Sequence, residues 1–183
     1  MKLRMIPIAA LGACMFPCAI AHAQADYSTW GIKAGLFMPS GSEIRRVFGD
    51  NWVSFGLSPQ QKVARSDLTF GGDVGVIIAN SNGNRLLLIP VTAGYTKLFA
   101  PRQNAVVPYG AVRAGVAYYD YSISRGLAGT FSKSTFDLTG NAELGVIFSQ
   151  KLVLAARYDW FTQADNFDFD GFTIWAELQL FKF

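Results

Sequence analysis

The segment Thr135–Phe148 reads TFDLTGNAELGVIF, and apolar and polar side chains alternate along most of its length. In an extended chain the even-numbered positions form a mostly apolar face, and the odd-numbered positions carry Asp137, Asn141 and Glu143 on the opposite face. A period of two residues is the signature of a β-strand with one apolar side. This segment therefore predicts a strand that separates two chemically different environments.

The same alternation recurs along the chain. Only residues 149–151 separate this segment from the next alternating run, so the two are predicted to form a tight hairpin. Seven segments alternate strongly, and a weaker one completes an even number, as is usual for single-chain bacterial barrels. The predicted strands are Trp30–Met38, Asn51–Leu57, Leu68–Ala79, Leu86–Lys97, Val107–Tyr119, Thr135–Phe148, Leu152–Trp160 and Phe172–Leu180.

The first 23 residues have the organisation of a secretory signal peptide. Lys2 and Arg4 form a basic start, residues 5–21 are almost wholly apolar, and the AHA sequence that ends at Ala23 matches a cleavage site. We therefore expect a signal peptide at residues 1–23 and a mature domain at residues 24–183.

Removal of the signal peptide takes away both cysteines, Cys14 and Cys18, and the single histidine, His22. The mature chain is then expected to form no disulfide, no Cys/His zinc site and no catalytic group built on His or Cys. No cofactor is expected. An alternative processing site exists at residues 11–14, LGAC, which resembles a lipobox and predicts a lipidated Cys14.

The charge of the mature chain argues against nucleic acid as a partner and against a soluble protein. Loss of Lys2 and Arg4 from the 16 basic residues leaves 14 against 13 acidic ones, with no basic cluster. Charged residues make up 16% of the chain, whereas soluble domains carry about 25%. The mature chain has no apolar run near 18 residues, which argues against a membrane-spanning helix. These features predict an all-β fold, a transmembrane antiparallel up-and-down β-barrel of about eight strands.

A soluble barrel with an apolar interior would show the same alternation. The polar face here, however, carries mostly Gly, Thr, Asn and Ala, whereas a solvated surface is richer in Lys and Glu. Aromatic residues also mark both ends of the apolar face, as in the interfacial girdles of membrane barrels. With both termini periplasmic, the outer girdle holds Tyr118, Phe136, Trp160 and Phe172, and the periplasmic girdle holds Trp30, Phe70, Tyr95 and Phe148.

This topology places the longer connections outside the membrane. In the first of them, Ser40–Glu43 has the pattern of a capping box and predicts a short helix over residues 44–48 that ends at Gly49. The longer outer connections are residues 39–50, 123–133 and 163–170.

Residues 108–118, PYGAVRAGVAY, resemble the PY-x-G-x-G-Y ascending strand of the OmpA/OmpX/OmpW-like family of small outer-membrane barrels. The terminal Phe183, together with Phe181, is similar to that family's assembly signal, which implies recognition by the barrel-assembly machinery during insertion. The resemblance runs from about residue 85 to the end. It implies a location in the cell outer membrane of a Gram-negative-type bacterium, with outer-membrane lipid as a partner.

The end of the chain departs from the family pattern. Gln179 and Glu177 stand where the family has apolar residues at alternate positions before the terminal Phe. Because the apolar face is shifted by one residue, we expect a bulge or a register change near residues 180–181.

The polar faces of the strands predict a charged barrel interior. An eight-stranded barrel is just wide enough for side chains to fill it, and buried charges must be paired. The expected pairs are Arg157 with Glu177 and Arg113 with Glu143, in a packed network or, alternatively, a polar pathway. The predicted interior residues are Lys33, Asp73, Arg113, Asp137, Glu143, Arg157, Asp159 and Glu177.

The outer segment 165–171, DNFDFDG, places three carboxylates close together. Calcium prefers several oxygen ligands, but this spacing does not match an EF-hand loop, so a solvated acidic loop is favoured. An alternative hypothesis is that Phe167 and Phe169 are exposed and contact lipid or a partner.

Two functional hypotheses remain from the sequence, and neither is enzymatic. The first is a structural or surface-interaction barrel with a closed polar interior and an unidentified surface partner. The second is a narrow, porin-like outer-membrane channel for small or apolar solutes, as in OmpW-like proteins. The first is favoured because eight strands leave little lumen.

Overall fold

The computed structural model describes residues 28–62, 68–124, 129–149, 151–163 and 167–182. The predicted signal peptide, its cleavage site at Ala23 and the terminal Phe183 lie outside the described residues.

The chain forms a closed antiparallel barrel in which each strand pairs with its neighbours in sequence and the last pairs with the first. The predicted all-β, eight-stranded up-and-down barrel is therefore confirmed. The strands are β1 (Ser28–Pro39), β2 (Trp52–Lys62), β3 (Leu68–Ser81), β4 (Asn84–Leu98), β5 (Val106–Ser124), β6 (Thr130–Phe148), β7 (Leu152–Phe161) and β8 (Gly171–Lys182).

The weakly predicted second strand is longer than expected. It continues past residue 57 to Lys62, through the polar run Ser58–Gln61. Pro59 lacks an N–H donor, so its presence in the sequence argues against a strand. In the structure it lies at a gap in the β2–β3 ladder, between the Leu57–Val74 and Gln60–Gly71 pairs. The ladder with β1, in which Pro59 faces Trp30, holds the strand in place.

The barrel is apolar outside and polar or aromatic inside. Leu138 and Leu144 on β6 are 67% and 68% exposed, whereas Arg157 on β7 is 2% exposed. This distribution is the reverse of that in a soluble protein, where charged side chains are almost never fully buried. The alternation in the sequence therefore places its apolar face outward.

The predicted girdle aromatics lie on the outward face, and several of them stack in pairs across neighbouring strands. Tyr118 and Phe136 have ring centroids 4.9 Å apart at the outer end, and Phe70 and Tyr95 are 5.3 Å apart at the periplasmic end. Aromatic pairs at this separation stabilise adjacent strands.

A short helix, α1 (Ser42–Phe48), crosses the outer end of the barrel between β1 and β2. The predicted helix is present, and Gly49 ends it with φ 88° and an N–H that donates to the Arg45 carbonyl. The predicted capping box is wrong, because Gly41 is the N-cap and no side chain caps the helix. Within the described residues, no helix is long and apolar enough to cross a bilayer.

The register change predicted near the end of β8 is confirmed. Trp30 pairs with Phe181, but the next residue, Gly31, pairs with Gln179, so Leu180 is the extra residue of a bulge. The bulge allows Glu177 to point inward while Leu178 stays on the outward face, where it is 54% exposed.

Gly115 on β5 provides a test of the barrel's close strand packing. A Cβ atom at this position would overlap the Val91 carbonyl oxygen on β4. Gly115→Ala should destabilise the barrel by roughly 1–3 kcal/mol, the usual cost of overpacking. Gly72→Ala is the matched control, because its Cβ would meet only ordinary contacts at 3.5 Å and beyond. Urea unfolding in lipid vesicles would measure the free energy of unfolding of both variants. Equal values would show that β4 and β5 can move apart at Gly115 without cost.

Candidate functional site: the barrel interior

Halfway along the barrel, charged and polar side chains from seven of the eight strands lie in the interior. We call this set the polar layer. Every member is at most 5% exposed, although several are Lys, Arg, Asp or Glu residues. The polar layer consists of Lys33, Asp73, Thr92, Arg113, Asn141, Glu143, Arg157, Asp159, Thr173 and Glu177.

Arg157 lies at the centre of the polar layer. Its Nε atom is 2.9 and 3.0 Å from the two carboxylate oxygens of Asp159, and one terminal nitrogen is 2.9 Å from Asp73 Oδ2. Lys33 donates to the same Asp73 oxygen, and Thr173 Oγ1 donates to Asp159 Oδ2 at 2.7 Å. Because Asp73 is on β3 and Arg157 on β7, this ion pair crosses the lumen.

Arg113 and Glu143 form the second charged group of the layer, as the sequence predicts. Arg113 lies 3.4 Å from Glu143 Oε2, and Tyr109 donates its hydroxyl hydrogen to Glu143 Oε1 at 2.9 Å. Arg113 also donates to Asn141 and Thr96 at 3.4 and 3.3 Å. Hydrogen bonds to charged groups offset much of the cost of burying them.

The predicted pair of Arg157 with Glu177 is wrong. In the β7–β8 ladder Arg157 faces Thr173, whereas Glu177 faces Val153, four residues further along the strand. That separation is about 13 Å along a strand, too far for an ion pair. Glu177 instead faces Lys33 in the β1–β8 ladder and accepts a hydrogen bond from Ser58 Oγ on β2.

Asp137 does not join the other predicted interior residues. It lies nearer the outer end of β6, is half-buried, and accepts the backbone N–H of Leu138 at 2.8 Å. The structure thus places seven of the eight predicted residues together in the polar layer, with Asp137 above it.

Inward-facing glycines provide the space for the long charged side chains. A Cβ on Gly56 would lie 2.6 Å from Lys33 Cε, and a Cβ on Gly31 would overlap the Glu177 carboxylate. Gly56 faces Lys33 directly across the β1–β2 ladder. These glycines alternate with polar residues in the sequence, but their role becomes visible only once the strand register is known.

An apolar cluster, which we call the outer cap, closes the interior above the polar layer. The ring of Phe37 stacks on Trp52 at 5.1 Å, and Tyr119 contacts Phe169 at 5.2 Å. Sequence reasoning missed this cluster, because its inward aromatic residues follow the predicted polar face of each strand. The outer cap contains Phe37, Ile44, Phe48, Trp52, Ile77, Ala79, Leu86, Leu88, Ala117, Tyr119, Tyr121, Phe161 and Phe169.

The acidic outer segment is ordered by its own carboxylates. Asp170 Oδ1 accepts the N–H of Phe161 at 2.6 Å, and Asp170 Oδ2 accepts from the Tyr158 hydroxyl at 3.2 Å. Phe169 is 0% exposed, so its predicted exposure to lipid or a partner is wrong, and Phe167 packs against the same cluster. The carboxylates hold the segment down, and this places Phe169 inside the barrel mouth.

A second apolar cluster, the inner plug, fills the periplasmic end of the interior. Trp175 belongs to it, and the Lys33 ammonium lies 5.1 Å from the Trp175 ring, a cation–π contact between plug and polar layer. The inner plug contains Val107, Tyr109, Ala111, Ile147, Val153, Ala155 and Trp175.

The arrangement suits packing rather than chemistry. Each buried charge has an opposite charge or a hydroxyl beside it, and the layers above and below are apolar. No group of three or more potential metal ligands occurs among residues of the described ranges.

The sequence matches no protein-family model and no curated protein. Among solved structures, Neisserial surface protein A (NspA) superposes with a TM-score of 0.61 at 15% identity, over 86% of this chain and 100% of the other. Ail, the attachment invasion locus protein of Yersinia pestis, gives 0.59 at 18% identity, over 87% and 100%. The outer membrane enzyme PagL gives 0.55 at 13% identity, over 82% and 99%.

This chain has the fold of the small eight-stranded outer-membrane barrels. The expected fold of the OmpA/OmpX/OmpW-like family is therefore confirmed. At these identities the similarity shows the fold alone. The similar structures include a surface protein, an attachment and invasion protein and an enzyme, so they do not decide the activity of this outer-membrane-type barrel.

Arg157 provides a test of the polar layer. Arg157→Met removes the cation between Asp73 and Asp159 and should destabilise the barrel by about 3–5 kcal/mol, because it leaves buried charge uncompensated. Arg46→Met is the control, since Arg46 is 72% exposed and pairs with Glu43 on α1, where about 0–1 kcal/mol is at stake. Urea unfolding in vesicles, followed by tryptophan fluorescence, measures both. If both variants lost equally little free energy of unfolding, the charges of the interior would have to be solvated by water.

Proposed function

We propose that this protein resides in the bacterial outer membrane as a sealed barrel with a structural or surface-interaction role, carried by its outer face. The observation that supports the proposal is the set of buried side chains inside the barrel, which form the polar layer, the outer cap and the inner plug.

The outward surface supports the membrane location. Leu36, Ile174 and Leu178 are each more than half exposed, and many other large apolar side chains share this surface. Monomeric soluble proteins rarely expose contiguous apolar patches of this kind. A lipid bilayer covers such a band, and aromatic girdles of the type found at both ends mark the two interfaces.

The outer face supports a role in surface interaction, because hydrogen bonds join its segments into one surface, which we call the platform. The Ser40 N–H donates to the Asp170 carbonyl at 2.7 Å, which joins the segment before α1 to the segment before β8. Asn84 Nδ2 donates to the Val47 carbonyl at 2.8 Å and joins α1 to the β3–β4 hairpin. On this platform Arg45 and Arg46 are exposed on α1 and available to a partner.

A non-enzymatic role is part of the proposal, although one similar structure is the enzyme PagL. The sequence has a single histidine, His22, within the predicted signal peptide. A mature barrel without histidine lacks the commonest general base. Two of the described interior hydroxyl groups, those of Ser58 and Thr173, already donate to carboxylates of the polar layer.

Phe181 and Phe183 remain the proposed assembly signal, read by the barrel-assembly machinery during insertion. Phe181 is the partner of Trp30 at the end of β8, next to the bulge, so the end of the chain is part of the barrel's closing ladder. A machine that captures the last strand would therefore act at the seam where β8 meets β1.

Planar-bilayer conductance and liposome swelling test the sealed interior. Refolded protein, verified by heat-modifiable mobility, should give no channel events and no solute flux, because ion pairs and aromatic rings occupy the lumen. The narrow-channel hypothesis predicts reproducible conductance that changes when Arg113 is neutralised. Such conductance would overturn the proposal.

Asp170 provides a test of the platform. Asp170→Ala removes the acceptor for the Phe161 N–H and the Tyr158 hydroxyl, so residues 167–170 should open at least tenfold more often. Chymotrypsin added outside the vesicles would then cut after Phe167 or Phe169 correspondingly faster. Asp50→Ala is the matched acidic control, because Asp50 is 79% exposed and should leave cleavage unchanged. Equal rates for the two variants would show that Asp170 does not hold the segment.

A further inference from the structure

A groove interrupts the outward surface of the barrel across β4 to β8, and it runs from the periplasmic rim toward the outer girdle. It has a volume of about 620 Å³ and continues past Phe99 and Leu144 into a second depression of about 810 Å³. Small residues on three successive strands, Gly110, Ala142 and Ala156, form its floor. We call it the exterior groove.

The walls of the exterior groove are aromatic and fixed in place. Phe99 is held by its N–H, which donates to the Pro108 carbonyl at 2.9 Å, and its ring lies over Gly110, where a Cβ would be 3.2 Å away. On the other side the rings of Tyr158 and Phe172 meet edge to face, with centroids 4.9 Å apart. The groove is therefore a shaped slot between rings rather than a uniformly smooth surface.

A cation lies at the periplasmic rim of the groove. Lys97 is exposed two residues below Tyr95, which belongs to the predicted periplasmic girdle. In the described part of the chain Lys97 forms no ion pair within 4.0 Å, unlike the charged residues of the polar layer. An ammonium group at this level meets the phosphates of lipid headgroups.

The groove runs from the periplasmic rim up to Tyr158 and Phe172, and Phe172 belongs to the predicted outer girdle. Tyr158 lies six residues above Leu152, the first residue of β7, which is about 20 Å along the strand. With a strand tilt of about 45°, this is roughly 14 Å, more than half of an apolar band about 25 Å tall, so an acyl chain that starts at the periplasmic rim can lie along the groove.

We propose that the exterior groove binds a phospholipid of the periplasmic leaflet, with an acyl chain on Gly110, Ala142 and Ala156 and its phosphate on Lys97. The apolar slot and the cation at the level of the periplasmic headgroups together match this occupant. A second barrel would present a convex surface and would leave the slot unfilled. The inference rests on the proposed membrane location.

Photolabelling tests the site. Protein is reconstituted in phosphatidylcholine vesicles that contain a small fraction of phosphatidylglycerol with a diazirine midway along one acyl chain. After irradiation, mass spectrometry should find labels concentrated on the parts of β5, β6 and β7 that line the groove. Even labelling around the barrel would overturn the proposal, and so would a cross-linked dimer through this face.

Two pairs of variants sharpen the result. Ala142→Phe fills the slot and should lower labelling of the groove at least fivefold, whereas Val76→Phe, on the outward face of β3 across the barrel, should leave it unchanged. Lys97→Ala should lower labelling by roughly fivefold, and Lys97→Arg should retain it. If neither groove variant differs from its control, the proposal fails.

Flotation with the vesicles and heat-modifiable mobility are measured on every sample. A protein that does not float contradicts the proposed membrane location. A folded, floating protein without localised labelling contradicts only the lipid site.

Discussion

Arg157 and Asp73 contact each other across the interior from β7 and β3, and the rest of the structure depends on this kind of contact. A charge inside a closed barrel has no water to solvate it, so it needs an opposite charge within reach. Lys33 and Asp159 complete the arrangement around Arg157 and Asp73. Because ion pairs span the lumen, the barrel diameter and the inward direction of these side chains are linked.

The apolar layers above and below protect those ion pairs. The outer cap includes residues that are distant in sequence, from α1, from the starts and ends of several strands, and from the segment before β8. Phe169 reaches it only because Asp170 holds the backbone beside Phe161 and Tyr158. The described outer segments α1 and residues 167–170 are therefore packed onto the mouth of the barrel.

The outward face follows different physics from the interior. Inside, each large side chain is matched by space on a neighbouring strand, as with Lys33 over Gly56. Outside, lipid chains fill gaps, so neighbouring small residues such as Ala142 and Ala156 are tolerated and leave a depression between aromatic rings. A membrane barrel can thus have a recess on its lipid side without loss of packing, since the solvent on that side is itself apolar.

The sequence by itself determined the strand number, the two faces of each strand and the bulge near Leu180. Alternation with a period of two assigns every side chain to a face, and a slip of one residue would exchange the faces completely. Only the tertiary structure decided which charges pair. Arg157 meets Asp73 rather than Glu177, because closure brings β3 opposite β7 and the β7–β8 register moves Glu177 four residues away. Tertiary structure also decided the burial of Phe169, because a loop has no periodicity and its side chains follow contacts with distant strands.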